Sequence, residues 1–355
     1  MSDNESLKAG NIILRKHESP IRLSILDTAM IGSGTTTHDS LTSTIRLAQR
    51  AEELGFTRYW MAEHHGFPGV ASSAPVVTIG ALAAATSRIR VGSGGVMLPN
   101  HVPLVVAEQF GTLAALYPGR IDLGVGRASP DPKTAAILNR SLARYGADEL
   151  PQQVEELAGF LTGSFPPNHP YHDVFVSPRA EEPPVLWMLG ASVRSADLAA
   201  SLGLPFAFAH HFGRGSAVSA FEHYRHNFKP SDTLSKPYTM ITALVVCAPT
   251  DEEADRIGRA SDLMFMRLFQ GRPGMLPSPE EIEAHRWTPE ELAFVQQRRR
   301  GQAIGSPETV RSVLKGLLEI TGADELMMTT QMYRLEDRFR SIEMVKEMFN
   351  PDYTV

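Results

Sequence analysis

Cysteine is nearly absent from this sequence, which holds one, Cys247, among its 355 residues. A single thiol excludes a disulfide framework and a cysteine-rich metal site, and it fits a reducing compartment. No window approaches 18 uninterrupted apolar residues, so no membrane-spanning helix is expected. Residues 1–20 are polar and mixed in charge, without the apolar core of a signal peptide. These absences predict a cytoplasmic protein with residues 1–20 as an N-terminal extension.

An excess of basic charge is absent as well. The chain has 34 Lys and Arg against 40 Asp and Glu, for a net charge of −6 at pH 7. Without a basic surplus, no nucleic-acid or anionic-membrane surface is expected. The hydrophobic fraction of 43% is sufficient for a large buried core, so the composition is that of a globular protein.

Short apolar runs alternate along the chain with longer segments of helical periodicity. This alternation predicts parallel strands joined by crossover helices. Eight such units fit a (β/α)8 barrel, and an open doubly wound sheet is the competing architecture. No linker divides residues 21–350, which are predicted as a single barrel domain with insertions in its βα loops at residues 131–182 and 270–304. The eight predicted strands are 22–26, 59–62, 89–97, 121–125, 185–189, 205–209, 238–247 and 325–329.

Histidines follow two of the predicted strands. Strand 59–62 leads into Glu63, His64 and His65, and strand 205–209 leads into His210 and His211. Reactive groups of such barrels lie where strands end, and adjacent strand residues face opposite ways, so His64 and His65 are expected to have different partners. A purely structural role as loop caps stays open for both. The sequence has no HExxH motif, and no metal site is predicted.

An anion site is indicated after the fourth and fifth predicted strands. The guanidinium of Arg127 suits a bidentate contact with phosphate. Ser192 and Ser195 flank a helix start, where free N–H groups and the helix dipole favour anions. The alternative is that Ser192 only caps the helix and that Arg127 pairs with a carboxylate such as Asp122. Neither a Walker sequence nor a GxGxxG motif after a strand is present.

Two further features of the sequence, a glycine pair and a basic run, also indicate local structure. Gly94 and Gly95 lie in the third predicted strand, where glycine indicates either close approach of a flat ligand or a bulge. The basic run at residues 298–300 is interpreted as a solvated helix face.

Four long stretches resemble the bacterial-luciferase-like, flavin-dependent monooxygenases, and together they extend the resemblance from residue 22 to about residue 347. They are RYWMAEHHGFPGVASSAP, SRIRVGSGGVMLPNHVPLVVAEQFGTLAALYPGRIDLGVGRA, LGASVRSADLAASLGLPFAFAHHF and GSPETVRSVLKGLLEITGADELMMTTQ. The resemblance is specific for the family and not for a substrate. It implies a (β/α)8 barrel that binds FMN at the C-terminal ends of its strands.

The resemblance also implies roles for individual residues. His64 matches the family's active-site histidine, and Glu63 or His65 is expected to fix its tautomer. Gly94 and Gly95 match a non-proline cis peptide beneath the flavin ring. The matched phosphate contacts are Arg127, the hydroxyls of Ser192 and Ser195, and the backbone of Gly190 and Ala191, although luciferase carries an acidic residue at the position of Ala191. His211 and Phe212 lie in a loop similar to one that lines the substrate pocket.

The implied activity is that of a monooxygenase. Reduced FMN from a separate flavin reductase would react with O2 to give a C4a-(hydro)peroxyflavin, which oxidises a small aldehyde, ketone or natural-product intermediate. Two alternatives remain: hydride transfer with the deazaflavin F420, and a flavin-binding protein without turnover. A homodimer is expected from the resemblance alone, and residues 270–304 are expected to form a lid over the site.

Overall fold

The computed structural model describes residues 21–127, 132–138, 149–213 and 215–349, so the predicted extension 1–20 lies outside the described residues. The strands are β1 (Arg22–Asp27), β2 (Arg58–Met61), β3 (Arg90–Met97), β4 (Ile121–Gly126), β5 (Val185–Gly190), β6 (Phe206–Phe208), β7 (Thr239–Cys247), β8 (Ala303–Gly305) and β9 (Glu325–Thr329). The helices are α1 (Thr37–Glu53), α2 (Pro75–Ala85), α3 (Pro103–Leu116), α4 (Pro132–Leu138), α5 (Leu150–Thr162), α6 (Val193–Ser201), α7 (Ala217–Asn227), α8 (Asp251–Phe269), α9 (Pro279–Ala284), α10 (Pro289–Arg299), α11 (Pro307–Thr321) and α12 (Leu335–Phe349).

Eight strands form a closed parallel barrel in the order β1, β2, β3, β4, β5, β6, β7 and β9, with β9 returning to β1. The (β/α)8 barrel predicted from the sequence is therefore confirmed, and the open sheet is excluded. The prediction of eight strands in all was wrong, because β8 forms a ninth within the expected insertion. It pairs only with the far end of β7, at Val245–Cys247, beyond the barrel wall.

A side-chain cap fixes where α1 begins. The Thr36 hydroxyl accepts from the Asp39 N–H, and the Asp39 carboxylate accepts from the Thr36 N–H, which starts α1 at Thr37. The glycine-rich segment after β1 thus leads into a helix whose first N–H groups are satisfied by its own side chains. No helix in the described ranges has the length and apolar character needed to cross a bilayer.

Aromatic side chains fill the middle of the barrel, and charged side chains close its N-terminal end. Trp60 and Trp187 pack edge to face with ring centroids 5.2 Å apart. Below them Arg58, with a side chain only 7% exposed, pairs with Asp122 and Glu325 at 2.8 Å each. Since the polar network lies at the opposite end from the βα loops, we assign it to stability and not to chemistry.

The insertion after β7 does not expose its basic run as predicted. Arg298 and Arg299 both pair with Asp262 of α8, which is fully buried, and Arg299 also pairs with Asp255. The solvated-face interpretation was wrong for these two residues, because helix α10 packs on α8 and Asp262 would otherwise be buried without a counter-ion. Arg300 is exposed.

The same insertion lies across the loops at the C-terminal end of the barrel. Leu276 exchanges backbone hydrogen bonds with the segment after β1, to Ile31 O and from Ser33 N. A side chain at Gly69, after β2, would meet Gly274 O at 2.3 Å, so the two backbones are in contact. The insertion therefore forms a wall at the mouth of the barrel, where the expected lid would lie.

Candidate active site

Glu63 is the polar centre of the loops that follow β2 and β3. Its carboxylate is 1% exposed, and one oxygen lies 2.8 Å from both His65 Nε2 and His101 Nε2. The other oxygen accepts the Met97 N–H at 3.0 Å. Burial raises the pKa of Glu63, but the hydrogen bond and charge of His101 and the hydrogen bonds from His65 and Met97 together outweigh it, so the net shift of the pKa is downward. An ionised Glu63 therefore ties the ends of two neighbouring strands together.

His64 has a different environment from its two neighbours. Its ring packs edge to face with Phe67, at 6.0 Å between centroids, and its Nδ1 is buried without a hydrogen-bond partner. The expectation that Glu63 or His65 fixes the His64 tautomer was wrong, since Glu63 holds His65 instead. Burial lowers the pKa of His64, and the charge of Glu63 only partly opposes this, so the neutral imidazole is favoured.

Gly94 and Gly95 form a surface of bare backbone beside these histidines. Their peptide bond is cis, and the β3–β4 register shifts at Gly95, which confirms the bulge interpretation. Close approach of a flat ligand stays a prediction. A Cβ at Gly94 would lie 2.6 Å from Leu26 Cδ1, and one at Gly95 would lie 2.7 Å from Gly124 O. A side chain is excluded at Gly95 by the Gly124 backbone, and one at Gly94 would displace the Leu26 side chain, so glycine keeps this strand end flat.

The predicted anion-site residues lie after the neighbouring strands β4 and β5. Arg127 is exposed and makes no hydrogen bond or ion pair with the described residues. Its alternative pairing with Asp122 was wrong: Arg58, Arg90 and Trp60 occupy that carboxylate. The Arg127 guanidinium is thus available to a ligand.

Ser192 and Ser195 lie at the start of α6. Ser192 caps the helix as the alternative supposed, accepting the Ser195 N–H at 3.4 Å, and the two hydroxyl oxygens are 3.2 Å apart. A Cβ at Gly190 would lie 2.0 Å from Ser195 Oγ, so a glycine is required for the helix start to approach β5. Ala191, between them, is half-buried. The Ser195 hydroxyl also donates to the Ser192 carbonyl oxygen at 2.8 Å, and capping does not exclude anion binding, because the helix dipole still favours an anion at the start of α6.

His211 and Phe212 follow β6. His211 Nδ1 lies 2.9 Å from the Thr242 hydroxyl, and the two rings pack at 4.1 Å, with Phe212 58% exposed. Burial lowers the pKa of His211 to about 3, with smaller effects from His64 and His210. His64 is therefore close enough to His211 for their charges to interact, and the two histidine loops meet at one site.

His210 turns away from that site. Its Nε2 lies 3.2 Å from the carbonyl oxygen of Gly301, at the end of the insertion. No three His, Cys, Asp or Glu side chains within the described ranges converge in a way that could hold a metal ion.

The sequence did not single out His101 or Thr242. His101 shares the Glu63 carboxylate, and Thr242 holds His211. The only sequence signal for His101 is its position just after β3 and the turn Leu98–Asn100, while Thr242 lies inside a buried strand and gives none.

Comparison with known proteins identifies the family. The family model described as luciferase-like monooxygenase matches residues 21–325. A luciferase-like monooxygenase of Escherichia coli is 41% identical over 332 residues, covering 93% of this chain and 98% of the relative. The N-acetyl-S-alkylcysteine monooxygenase of Bacillus subtilis is 35% identical over 319 residues, covering 89% and 91%. The chain belongs to the luciferase-like monooxygenase family, and the resemblance read from the sequence is confirmed.

Solved structures agree with this assignment. The crystal structure of apo-MsnO8 superposes with a TM-score of 0.85 at 39% identity, covering 94% of this chain and 99% of that one. More distant structures share the fold only: a diketocamphane monooxygenase component from Pseudomonas putida in complex with FMN (18% identity, TM-score 0.68) and an F420-dependent secondary alcohol dehydrogenase (14%, 0.61). Proteins of this fold thus use either FMN or F420.

Proposed function

We propose that this protein is an FMN-dependent monooxygenase that uses reduced flavin and O2 to oxidise a small organic substrate. The observation that carries the proposal is the arrangement at the barrel mouth. Anion-binding groups follow β4 and β5, the flat Gly94–Gly95 strand end belongs to the neighbouring β3, and His64 follows β2 on the far side of β3. These three groups of residues match, in that order, the phosphate, the flat ring and the reactive edge of FMN.

The residues present suit FMN on chemical grounds. Arg127 and the α6 start would hold the phosphate, and Gly94 and Gly95 would leave room for the ring. The His64 Nδ1, buried without a partner, is left for a ligand group, because such an atom otherwise costs about 1–3 kcal/mol. When bound, reduced FMN would supply electrons to O2. The protein would orient it, exclude water and hold or move a proton at His64.

Binding of the flavin phosphate can be tested at Arg127. Replacing Arg127 with Ala is expected to weaken FMN binding roughly 10- to 150-fold, since one charge-assisted hydrogen bond contributes about 1.5–3 kcal/mol. Titration should also show that riboflavin, which lacks the phosphate, binds wild type and variant equally. The exposed Arg340 provides a matched control in Arg340→Ala, which should bind FMN as wild type does. Equal FMN affinity in Arg127→Ala and wild type would reject the assignment.

The flavin and the substrate can be identified with the same protein preparation. FMN and F420 are titrated side by side, and binding of F420 alone would favour the hydride-transfer alternative. The substrate panel consists of aliphatic aldehydes, ketones and N-acetyl-S-alkylcysteines, the last because the Bacillus subtilis relative is named for them. A flavin reductase is supplied in each assay as the source of reduced FMN. Tight FMN binding without oxidation of any substrate would favour a flavin-binding protein without turnover.

A homodimer is part of the proposal, and helices α2 and α3 support it. Helix α2 has no charged side chain, the single one of α3, Glu108, is half-buried, and Val77 and Leu116 are 71% and 64% exposed. Uncharged helix faces of this kind favour a protein interface. The exposed residues are Val77, Ala81 and Ala84 of α2, and Val105, Gln109, Thr112, Ala115 and Leu116 of α3. Light scattering is expected to give twice the 38.9 kDa chain mass, and a single-chain mass would contradict the dimer.

A further inference from the structure

His211 is held by a hydrogen-bond chain that determines which ring nitrogen carries its proton. The Thr242 hydroxyl lies 2.9 Å from the Phe208 carbonyl oxygen and 2.9 Å from His211 Nδ1. A hydroxyl has one proton and a carbonyl oxygen can only accept, so both contacts are hydrogen bonds only if Thr242 donates to Phe208 and accepts from His211. That arrangement requires the His211 proton on Nδ1. In the neutral ring the Nε2 atom then carries only a lone pair.

The chain is rigid enough to keep this tautomer. Thr242 is 4% exposed in the middle of β7, and Phe208 is fully buried at the end of β6. These strands pair directly, with Phe208 opposite Ile241. With the reversed tautomer, Phe208 O and His211 Nδ1 would compete for the single Thr242 proton, and the loss of one hydrogen bond costs about as much as a buried unsatisfied group.

The neutral form of His211 is favoured as well. The titratable groups that act on it are His64, from the loop after β2, and its neighbour His210, and either one disfavours a second positive charge when protonated. No hydrogen-bond partner for His211 Nε2 is present among the described residues. An imidazole that resists protonation is a poor base, but it remains a good hydrogen-bond acceptor.

We propose that His211 is a specificity-determining residue, whose Nε2 is a fixed acceptor for an O–H or N–H donor of the substrate. The substrate class is thereby narrowed to molecules that carry such a donor near the group to be oxidised. A carbonyl or ether oxygen at this position would face a lone pair and be disfavoured. That the bound molecule is a substrate rests on the proposed function, whereas the acceptor itself is a property of the flavin-free protein.

The first measurement determines the tautomer without any ligand. Protein labelled with ¹⁵N in its 12 histidines is studied flavin-free by NMR, and His211→Leu identifies the His211 signals. Wild type is expected to show a neutral His211 with the proton on Nδ1 from pH 5.5 to 8. Thr242→Val, which removes the hydroxyl and keeps the side-chain shape, should show both tautomers. A proton on Nε2 in wild type would overturn the proposal.

The second measurement tests recognition with phenol and anisole, the same ring with and without an O–H donor. By saturation-transfer NMR, wild type should prefer phenol roughly 3- to 10-fold, the net effect of one neutral hydrogen bond. The preference should shrink in Thr242→Val, disappear in His211→Leu and persist in the control His223→Leu, an exposed histidine of α7. Equal binding of the two probes to wild type, or an unchanged preference for phenol in His211→Leu, would overturn the proposal that His211 Nε2 is a fixed acceptor. FMN binding is measured separately, so failure of the proposed flavin function is distinguished from failure of the acceptor.

Discussion

Replacing His64 with Ala is expected to lower turnover of the substrate selected from the panel by about 10²- to 10⁴-fold, the range for a general acid or base. FMN affinity should change far less, because the phosphate contacts lie on the other side of the Gly94–Gly95 strand end. Turnover is expected to fall because His64 is a neutral, buried imidazole whose Nδ1 has no hydrogen-bond partner among the described residues. Steady-state kinetics and FMN titration on the same preparation check both halves of this expectation.

His223 provides the matched control for that experiment. It is half-exposed on α7 and, among the described residues, pairs with Asp197, so His223→Ala should retain wild-type turnover.

The pH profile of turnover gives a second check on the role of His64. Burial lowers the pKa of His64 below its ordinary 6.5, and a neutral His64 is the competent base, so activity should persist as pH falls and decline only below 6.5. Loss of FMN binding in parallel with turnover would contradict the catalytic role.

The largest expected effect on stability lies at the opposite end of the barrel. Replacing Arg58 with Met is expected to lower the free energy of unfolding by about 3–5 kcal/mol, because it leaves two buried carboxylates with fewer partners. Glu325 would retain Tyr238 and Ser24, and Asp122 would retain Arg90 and Trp60. The Arg58 guanidinium also lies 4.7 Å from the Trp187 ring centre, a contact that Met cannot reproduce electrostatically. Urea unfolding monitored by Trp fluorescence measures the loss.

The control for Arg58 is an arginine whose ion pairs lie at the surface. Arg340 is 53% exposed and pairs with Asp337 within α12 and, at 3.8 Å, with Glu253 of α8. Its replacement with Met should change the free energy of unfolding by about 0–1 kcal/mol. If the two variants were equally stable, the buried network would contribute no more than a surface ion pair, and its assignment to stability would fail.

The barrel could be predicted because its strands are short apolar runs separated by helical periodicity. Strand β2 was placed within one residue at each end, and β7 within one residue at its start. Strand β8 was missed because Ala303–Gly305 has only three residues and pairs outside the barrel wall, so neither length nor alternation marks it. Pairing between distant segments also escaped prediction: Asp262 lies 36 residues before Arg298, and the packing of α10 on α8 brings them together.

The sequence predicted which strand ends form the site, but not which side chains contact each other there. Barrel topology places Glu63, His64 and His211 at one mouth, and the sequence carries that information. The choice of partners depends on loop conformation. His101 is 38 residues from Glu63 and reaches it only after the β3 loop turns back, while Thr242 acts through a side-chain hydroxyl inside a strand. These two contacts set the charge and tautomer of the groups at the mouth.

The measurement that tests the central claim most directly is an anaerobic titration with reduced FMN, followed by rapid mixing with O2 and absorbance recording. The account predicts that reduced FMN binds and that its reoxidation passes through a species, spectrally distinct from reduced and oxidised FMN, that outlives any seen with free FMN. His64→Ala and Arg127→Ala, run alongside, separate chemistry from binding. Reoxidation of the mixture at the rate and with the spectra of free FMN would contradict the account.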